Sequence, residues 1–339
     1  MKKQYIFLTA VIIILTANLY TFGQSKAGTT IGQFLKIEPS SRNTAIGTAG
    51  TSLYGEASSV YYNPASLGRL QGMDAQFTYN EWLADIKVSY AAVAMNLSSI
   101  GTFSLTVTSL SSGEIDVTTV DQPLGTGERY SVNDFALGLG YGLMLTDRVS
   151  VGIQLSYFQE SIWHSSLMGF AMNFGVQYQL EPGGLTLGAS VTNFGPRASY
   201  SGRDLYVNFD FDSKLNGDND RIPADLRTDS YGLPTTFHVG ASYPIKITDD
   251  QLVTLCVDAK HPNDNNESIN AGLEWNIMNN FFVRGGYRDI FLQDREGGLV
   301  LGAGVMVNFS GSNKVKFDYA WADYGRLNKT HRFTVGIGL

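Results

Sequence analysis

The chain has 339 residues, of which 43% are apolar, 12% aromatic and 16% charged, with 37 glycines and a net charge of −7 at pH 7. Soluble domains carry roughly 25% charged residues and about 7% glycine, so this composition does not fit two ordinary soluble domains, and its apolar content excludes a disordered chain. The single cysteine, Cys256, excludes a disulfide framework or a cysteine-based zinc site, and the acidic balance excludes nucleic-acid binding, which requires clustered Lys and Arg.

The first 23 residues have the composition of a secretory signal peptide. Lys2 and Lys3 form a basic start, residues 5–19 are apolar, and small residues follow at the cleavage position. A membrane anchor is the alternative, but the apolar run is shorter than the roughly 20 residues that a helix needs to span a bilayer. We therefore expect residues 1–23 to be cleaved, which leaves 22 basic against 31 acidic residues and a net charge of −9.

Residues 24–74 lack the two-residue repeat of the chain that follows. Within them, the pair Asn63-Pro64 predicts that one helical turn ends near Tyr62 and another begins at Pro64. Asn caps helices well, Pro is favoured at the first helical position, and the residue before Pro avoids helical geometry. A segment of this length, rich in small residues and low in charge, needs a surface to pack against.

From residue 75 onward the chain alternates between apolar and polar or glycine positions in runs of about ten residues. In the last run, Phe333, Val335 and Ile337 alternate with Thr334 and Gly336. Successive side chains of a strand point to opposite faces, so each run predicts a strand with one apolar face. The fourteen predicted strands cover residues 75–82, 87–97, 101–109, 131–144, 148–159, 167–180, 184–193, 235–245, 252–260, 268–277, 281–288, 298–309, 313–322 and 330–339.

The lengths of the predicted connections favour a membrane barrel over a soluble sandwich. Connections after even-numbered strands are short, those after strands three and seven have about 21 and 41 residues, and those after strands five, nine, eleven and thirteen have roughly seven to nine. Outer-membrane barrels have an even strand number, short turns on one rim and longer loops on the other. We predict a 14-stranded antiparallel outer-membrane β-barrel over residues 75–339, with a soluble all-β protein as the alternative. Because so wide a barrel needs filling, residues 24–74 are predicted to be an N-terminal hatch that plugs it.

Aromatic residues of the predicted strands lie near strand ends or on outward positions, as expected for the aromatic girdles of such a barrel. They are Trp82, Tyr141, Tyr157, Tyr178, Tyr243, Trp275, Tyr287, Tyr319 and Trp321. The inward positions include small residues, namely Gly138, Gly140, Gly142, Gly302 and Gly304. These glycines lack the GxGxxG spacing and a following helix, so they indicate strands rather than a phosphate-binding loop.

Inward charges can be paired across a predicted hairpin. A tight turn centred on Asn279 places Glu274 opposite Arg284, since each lies five residues from the centre. Opposite charges across a hairpin contribute roughly 0.2–1 kcal/mol. We interpret the two as a structural ion pair in the lumen, with contact to a substrate as the alternative. The same interpretation applies to Asp258, Lys260, Lys316, Asp318 and Arg332.

An acidic stretch before the eighth predicted strand suggests a calcium site as a hypothesis. Residues 216–220 place oxygen-bearing side chains at alternate positions, but EF-hand spacing and its closing Glu are missing, so a solvated loop is the preferred interpretation. Its aspartates are Asp204, Asp210, Asp212, Asp218, Asp220, Asp225 and Asp229. The chain has no G-x-S-x-G motif, and nothing favours His238 and Ser242 as a catalytic pair. We therefore expect no enzyme activity, no metal and no cofactor.

Several stretches resemble the PorV/PorQ family of Bacteroidota. They are residues 34–37, Ser41-Arg42 with Gly47, residues 63–67, 81–86, 317–320 and 330–333. That family is similar in fold to the FadL-type fatty-acid channels, which have fourteen strands and an N-terminal hatch with an Asn-Pro-Ala signature. Asn63, Pro64 and Ala65 match the signature and are interpreted as structural residues of the hatch. Relatives often have a glycine where this chain has Thr48.

The resemblance implies an outer-membrane protein associated with type IX secretion, which binds secreted cargo and carries it toward surface attachment. The partners it implies are secretion-system subunits and cargo at the extracellular loops, with outer-membrane lipid and lipopolysaccharide around the barrel. The alternative is a FadL-like transporter of hydrophobic small molecules. That alternative predicts a hydrophobic ligand between hatch and wall, beside residues such as Phe158, Phe282 and Met306.

Overall fold

Fourteen long strands dominate the chain in a computed structural model, which describes residues 28–211, 214, 221–292, 295–309 and 313–339. The predicted signal peptide at residues 1–23 lies outside these ranges. In chain order, strands β1 to β14 are Met73–Glu81, Lys87–Asn96, Thr102–Asp116, Arg129–Met144, Val149–Ile162, Ser165–Gln179, Thr186–Phe194, Thr236–Thr248, Gln251–Pro262, Ser268–Ile277, Phe281–Ile290, Leu299–Asn308, Lys314–Asp323 and Lys329–Gly338. Three short strands lie between β7 and β8, namely Ser201–Gly202, Tyr206–Phe209 and Ile222–Asp225.

The sheet closes on itself because β14 pairs with both β13 and β1. Every long strand is antiparallel to its neighbours, and the β1–β14 seam runs in register from Asp74 opposite Gly338 to Glu81 opposite His331. Backbone groups in hydrocarbon must be paired, and a closed ring has no unpaired edge. The prediction of a 14-stranded antiparallel barrel is confirmed. Across the described ranges, no helix has the length and apolar character needed to cross a bilayer.

The apolar side chains of the alternating runs point away from the lumen. On β14, Phe333, Val335 and Ile337 are 48%, 42% and 46% exposed, whereas Arg332 and Thr334, which alternate with them, are buried. In water, these rows of apolar side chains would be exposed to solvent. The pattern is therefore the one expected for strands whose outer face contacts lipid.

The connections between strands form two rims. The turn rim carries the short connections after even-numbered strands, together with the chain end at Leu339. The loop rim carries the connections after odd-numbered strands, of which residues 195–235 are the longest. The prediction that connections after even-numbered and odd-numbered strands lie on opposite rims is therefore confirmed for the described residues. Several of the predicted connection lengths are wrong.

Four loop-rim connections are shorter than predicted. Residues 117–128 follow β3, and only Trp163 and His164 follow β5, while residues 263–267 and 324–328 follow β9 and β13. Strands β3 to β6 continue past their predicted ends, as in the pairing of Asp116 with Arg129. Backbone pairing needs no apolar alternation, so polar residues extend these strands without a signal in the sequence pattern.

Residues 28–72, here named the lumenal segment, lie inside the ring of strands. Inward glycines on β5, β7 and β10 face its backbone, which places the segment against opposite parts of the wall. It contains one short α-helix and three 3-10 turns, namely Ser41–Ala45, Gln33–Lys36, Ala57–Tyr61 and Pro64–Arg69. The helical turns predicted on either side of Asn63 are confirmed.

Several inward positions of the wall require glycine because the backbone of the lumenal segment lies directly against them. A Cβ atom at Gly286 would overlap Gly47 N, and one at Gly152 would overlap Pro64 O. Backbone atoms cannot rotate away as a flexible side chain can, so these positions leave no room for a larger residue. The same holds at Gly142, Gly188 and Gly272.

An apolar cluster fills part of the lumen near the loop rim. Phe34 and Leu35 of the lumenal segment pack there against inward residues of β5 and β6, including Phe158 and Leu167, and against Leu233 of the 195–235 connection. Phe34 and Phe158 meet at 6.4 Å between ring centroids. This cluster fixes the start of the lumenal segment beside one side of the barrel wall.

Candidate functional site

Six charged side chains connect the lumenal segment to the wall. Arg284 Nε lies 2.6 Å from Glu274 Oε2, as their opposed positions on β11 and β10 allow, and Arg284 Nη1 lies 2.5 Å from Asp318 Oδ1. From the lumenal segment, Arg42 Nη2 reaches Glu274 Oε1 at 2.7 Å. Glu56 accepts from Lys316 on β13 and lies 3.3 Å from Arg42 Nη1.

This network contains three cations and three carboxylates, and each charge has an opposite partner within the group. Glu274, Arg284 and Asp318 are all at least nine-tenths buried. A buried charge is costly unless it is paired, so mutual pairing accounts for the burial. The network offers no unmatched charge to a ligand, and its geometry serves to hold the lumenal segment against β10, β11 and β13.

Asn63 also joins the lumenal segment to the wall. Its Oδ1 accepts from Ala65 N at 3.0 Å, which caps the turn that Pro64 begins, and its Nδ2 donates to Thr51 O at 2.8 Å and to Val176 O at 3.1 Å. Every hydrogen bond that the Asn63 side chain makes among the described residues is to backbone. Asn63, Pro64 and Ala65 thus contact protein rather than a cavity.

A cavity of about 250 Å³ lies between the lumenal segment and the loop rim. The lumenal segment forms its floor, and the loop-rim ends of β7 to β11 form its wall. In the described part of the chain, neither Glu274 nor Arg284 lines it, and neither do Phe158, Phe282 and Met306. This cavity is therefore not the ligand site predicted beside Phe158, Phe282 and Met306. Phe158 is packed in the apolar cluster, and Phe282 lies beneath the Arg284 guanidinium.

One side of the cavity is largely aromatic. Tyr61 and Tyr62 contribute from the lumenal segment, and Trp82 and Tyr324 from two loop-rim connections. Trp82 and Tyr324 meet edge to face at 5.0 Å, as do Tyr61 and Tyr62. Edge-to-face contact is a favoured geometry for aromatic rings. The prediction that Trp82 belongs to an outward girdle is wrong, because position 82 continues the inward alternation of β1 and the ring packs against buried residues that include Tyr324.

The opposite side of the cavity is polar. Thr192, Asn193, Thr236 and His238 line it from the facing ends of β7 and β8. His238 Nε2 lies 3.4 Å from Thr192 Oγ1. Among the described residues, neither His238 Nδ1 nor the side-chain amide of Asn193 has a hydrogen-bond partner. Both residues line the cavity, and these groups have hydrogen-bonding capacity that the described residues do not use.

The charged side chains around the cavity are matched by other protein groups. Lys260 Nζ lies 2.6 Å from Asp289 Oδ1, and Arg288 Nη1 donates to Tyr324 Oη at 2.6 Å. Glu38 has a looser partner, because its nearest carboxylate oxygen lies 3.9 Å from Arg332 Nη2. Neighbouring opposite charges cancel at a distance, so the cavity wall is polar without a strong net charge.

The start of the lumenal segment is tied to the loop rim by Asp264, which lies in the connection between β9 and β10. Its carboxylate accepts from Gln33 Nε2 at 2.8 Å and from Lys36 Nζ at 3.0 Å. Burial acts to raise the pKa of Asp264, but the hydrogen bonds from Gln33 and Lys36 outweigh it, so this pKa lies below its ordinary value. Ile31 N adds a backbone bond to Gly232 O at 3.0 Å.

The long connection 195–235 extends from the loop rim and carries exposed apolar side chains. Its hairpin pairs Tyr206–Phe209 with Ile222–Asp225. Tyr206 is 68% exposed and Phe211 is 83% exposed. Residues 216–220, which carry the calcium hypothesis, lie outside the described ranges. Where residues are described, no group of three or more His, Cys, Asp or Glu side chains is arranged to hold a metal ion.

The sequence did not identify the residues that line the cavity. The girdle prediction assigns Trp82 to the lipid side. The only partner that the sequence suggests for His238 is Ser242, whose hydroxyl instead donates to Ser52 O at 3.5 Å. The one available signal was the two-residue period, which places His238 on the inward face of its strand together with Gly240 and Ser242.

The fold matches solved outer-membrane barrels. No family model and no curated protein matches the sequence. The structure is similar to the CymD monoaromatic hydrocarbon channel, with a TM-score of 0.54 and 12% identity over 89% of this chain and 96% of that one. It is similar to the Ralstonia pickettii toluene transporter TbuX, with a TM-score of 0.54 and 11% identity over 89% and 98% of the chains. For the Pseudomonas putida toluene transporter TodX, the TM-score is 0.53 and the identity 12%, over 87% and 95%.

At 11–12% identity, these similarities establish the barrel fold, and they do not identify a ligand. The PorV/PorQ resemblance has no support from family or sequence matches.

Proposed function

We propose that this protein is an outer-membrane channel for small molecules that have an apolar part, and that the passing molecule occupies the cavity beneath the loop rim. The observation that carries the proposal is the cavity of about 250 Å³ with its aromatic side, formed by Trp82 and Tyr324 together with Tyr61 and Tyr62. Binding sites for small molecules are concave, mostly apolar and furnished with a few polar groups. The barrel fold shared with hydrocarbon channels supports the same role, and a channel requires no catalytic group.

In this proposal, residues 1–23 are a signal peptide and residues 24–74 form a hatch that blocks the lumen, with Asn63, Pro64 and Ala65 as its structural signature. The charge network around Glu274 and the close approach to inward glycines hold the hatch in place. A molecule therefore passes beside the hatch, by way of the cavity. Outer-membrane lipid and lipopolysaccharide surround the apolar exterior.

The proposal is tested by filling the cavity. His238 faces it from β8, and Val239, the next residue, is 47% exposed on the outward face. We expect His238→Trp to reduce uptake of a labelled single-ring compound by cells, or by proteoliposomes, to the level without the protein. Val239→Trp, which adds the same ring on the lipid side, leaves uptake unchanged. Normal uptake by a correctly folded His238→Trp protein would contradict the proposal.

A second candidate function is a role in type IX secretion as a cargo-binding barrel. The specific observation in its favour is the 195–235 connection, whose hairpin exposes Tyr206 and Phe209 at 68% and 50% on the loop rim. Exposed aromatic side chains are common in surfaces that bind other proteins. The resemblance of residues 34–37 and 63–67 to the PorV/PorQ family agrees with this role.

The two candidates differ in what deletion of the gene does. A secretion role predicts that secreted proteins stay in the periplasm or fail to attach to the surface, while uptake of small molecules continues. A channel role predicts the reverse. A surface proteome identical to that of the parent strain would exclude the secretion role.

A further inference from the structure

The two sides of the cavity differ in chemistry, and this difference restricts what can fill it. This inference rests on the proposed function, because it names the class of molecule that the cavity holds. The aromatic side suits apolar contact with a ring at Trp82 and Tyr324. The Arg332 and Arg288 guanidinium groups lie over these two rings, at 5.3 and 4.1 Å from the centroids. The polar side, with Asn193 and His238, suits hydrogen-bonding substituents on that ring.

A hydrocarbon would leave the polar side without partners. His238 Nδ1 and the Asn193 amide have none among the described residues, and in the unliganded cavity water can serve them. A molecule that displaces this water without replacing its hydrogen bonds loses affinity, because a buried donor or acceptor is then left unsatisfied. Sites built to bind a hydroxyl discriminate strongly against the analogue that lacks it. The cavity therefore disfavours an unsubstituted ring.

The pairing of charges around the cavity argues that the substituents are neutral. Lys260 is paired with Asp289, and Lys36 with Asp264, each within 3.0 Å. A charged substituent would have to compete with these pairs, whereas a hydroxyl can donate and accept beside them. Glu38 lines the cavity and has Arg332 at 3.9 Å, so its carboxylate can accept from such a hydroxyl.

The size of the cavity sets the number of rings. Pockets for drug-sized ligands have volumes of roughly 300–1,000 Å³. At about 250 Å³, this cavity falls below that range and suits one ring with small substituents.

We propose that the cavity selects a single aromatic ring that carries neutral hydroxyl groups, in preference to an unsubstituted aromatic hydrocarbon. In the bound state, the ring lies on the side of Trp82 and Tyr324, and the hydroxyls bond to His238, Asn193 and Glu38. His238 and Asn193 are the specificity-determining residues, since they supply the hydrogen-bonding capacity that remains unused in the protein.

The test uses the full-length protein in detergent, with catechol, toluene and glucose as probes, and calorimetry as the measurement. We expect catechol to bind at least about tenfold more tightly than toluene, a ratio that corresponds to one or two hydrogen bonds. Glucose, which lacks an aromatic ring, is expected to bind more weakly than catechol. Equal or tighter binding of toluene would overturn the proposal, and so would glucose binding as tightly as catechol.

Matched variants assign the preference to the polar side. His238→Phe keeps a ring of similar size and removes its nitrogens, so the preference for catechol over toluene is expected to fall by about three- to tenfold. His238→Gln retains a donor and an acceptor and is expected to keep most of the preference. Phe237→Leu, on the outward face of the same strand, changes neither affinity. An unchanged preference in a folded His238→Phe protein would remove His238 from the proposal.

The outcome is separable from that of the channel proposal. If catechol is preferred in calorimetry but no probe is taken up through the barrel, the binding inference holds and the channel proposal fails. If toluene passes through the barrel and catechol shows no preference, the channel proposal holds and the inference about hydroxyl groups fails.

Discussion

The lumenal segment meets the wall in two different ways. Toward β10 to β13, its backbone lies on inward glycines such as Gly286, and Arg42 enters a closed network with Glu274 and Arg284. Beneath the loop rim, it is separated from the ends of β7 to β9 by a cavity with unused hydrogen-bonding groups. The same segment thus lies directly on the wall deeper in the barrel and leaves space only beneath the loop rim. This difference separates residues that position the segment from residues that can bind a molecule.

The largest effect is expected from the fixed side. Glu274→Ala removes the carboxylate that pairs with both Arg42 and Arg284, and leaves three cations, of which Arg284 is buried, against two carboxylates. Loss of one partner from a buried pair costs about 3–5 kcal/mol. We expect a decrease of this size in the free energy of unfolding, measured by urea titration in lipid vesicles.

The control for Glu274 is an exposed ion pair. Glu114→Ala breaks the contact of Glu114 with Arg129, two side chains that are 69% and 61% exposed. Exposed pairs contribute little to stability, so no measurable change is expected. Equal effects of the two substitutions would mean that the buried network does not hold the lumenal segment.

A somewhat smaller effect is expected at the glycine contacts. Gly286→Ala places a methyl group against Gly47 N and Ile46 C, whereas Gly285→Ala, one residue earlier on β11, adds its methyl with only Leu301 Cδ2 nearby, at 3.6 Å. Overpacking of this kind costs about 1–3 kcal/mol. The expected result is a lower unfolding midpoint for Gly286→Ala only. If both variants unfold at the same midpoint, the segment does not press on the wall at this point.

The smallest effect is expected at the contacts of Asp264 with Gln33 and Lys36 at the loop rim, and it depends on pH. Because the folded-state pKa of Asp264 lies below its ordinary value, its contribution is present at neutral pH and is lost as the pH falls through that lowered value. We expect faster amide exchange at Ile31, corrected for intrinsic rates, only below about pH 4. Asp264→Asn should remove the dependence on pH. A change between pH 7 and 5 in the unaltered protein would assign the effect to another group.

The sequence predicted the features that repeat along it. Alternation of apolar residues identified all fourteen strands, and counting from the turn at Asn279 placed Glu274 opposite Arg284, where β10 and β11 have them. Strand ends at the loop rim were missed, since pairs such as Asp116 with Arg129 extend a strand through backbone bonds alone. Backbone hydrogen bonds do not require an alternation of apolar and polar residues, so the sequence pattern does not reveal where such a strand ends.

The cavity could not be predicted in the same way, because it depends on contacts between distant parts of the chain. Trp82 continues the inward alternation of β1, but whether its ring meets space or protein depends on Tyr324, more than 240 residues later in the chain. Whether His238 meets space or protein depends on the position of Tyr61 and Tyr62 of the lumenal segment, more than 170 residues earlier in the chain. Local periodicity carries no information about either.

The seam between the first and last strands sets an order for biogenesis. Met73 and Leu339 exchange backbone hydrogen bonds at 2.9 and 2.8 Å, so the ring is sealed only when β14 reaches β1. Residues 28–72 precede that strand and extend from the turn rim, near Arg69, to the loop rim, near Ile31. An interior peptide held at both ends is enclosed most directly while the ring is still open. Once β1 and β14 have paired, residues 28–72 can no longer enter the barrel from the side.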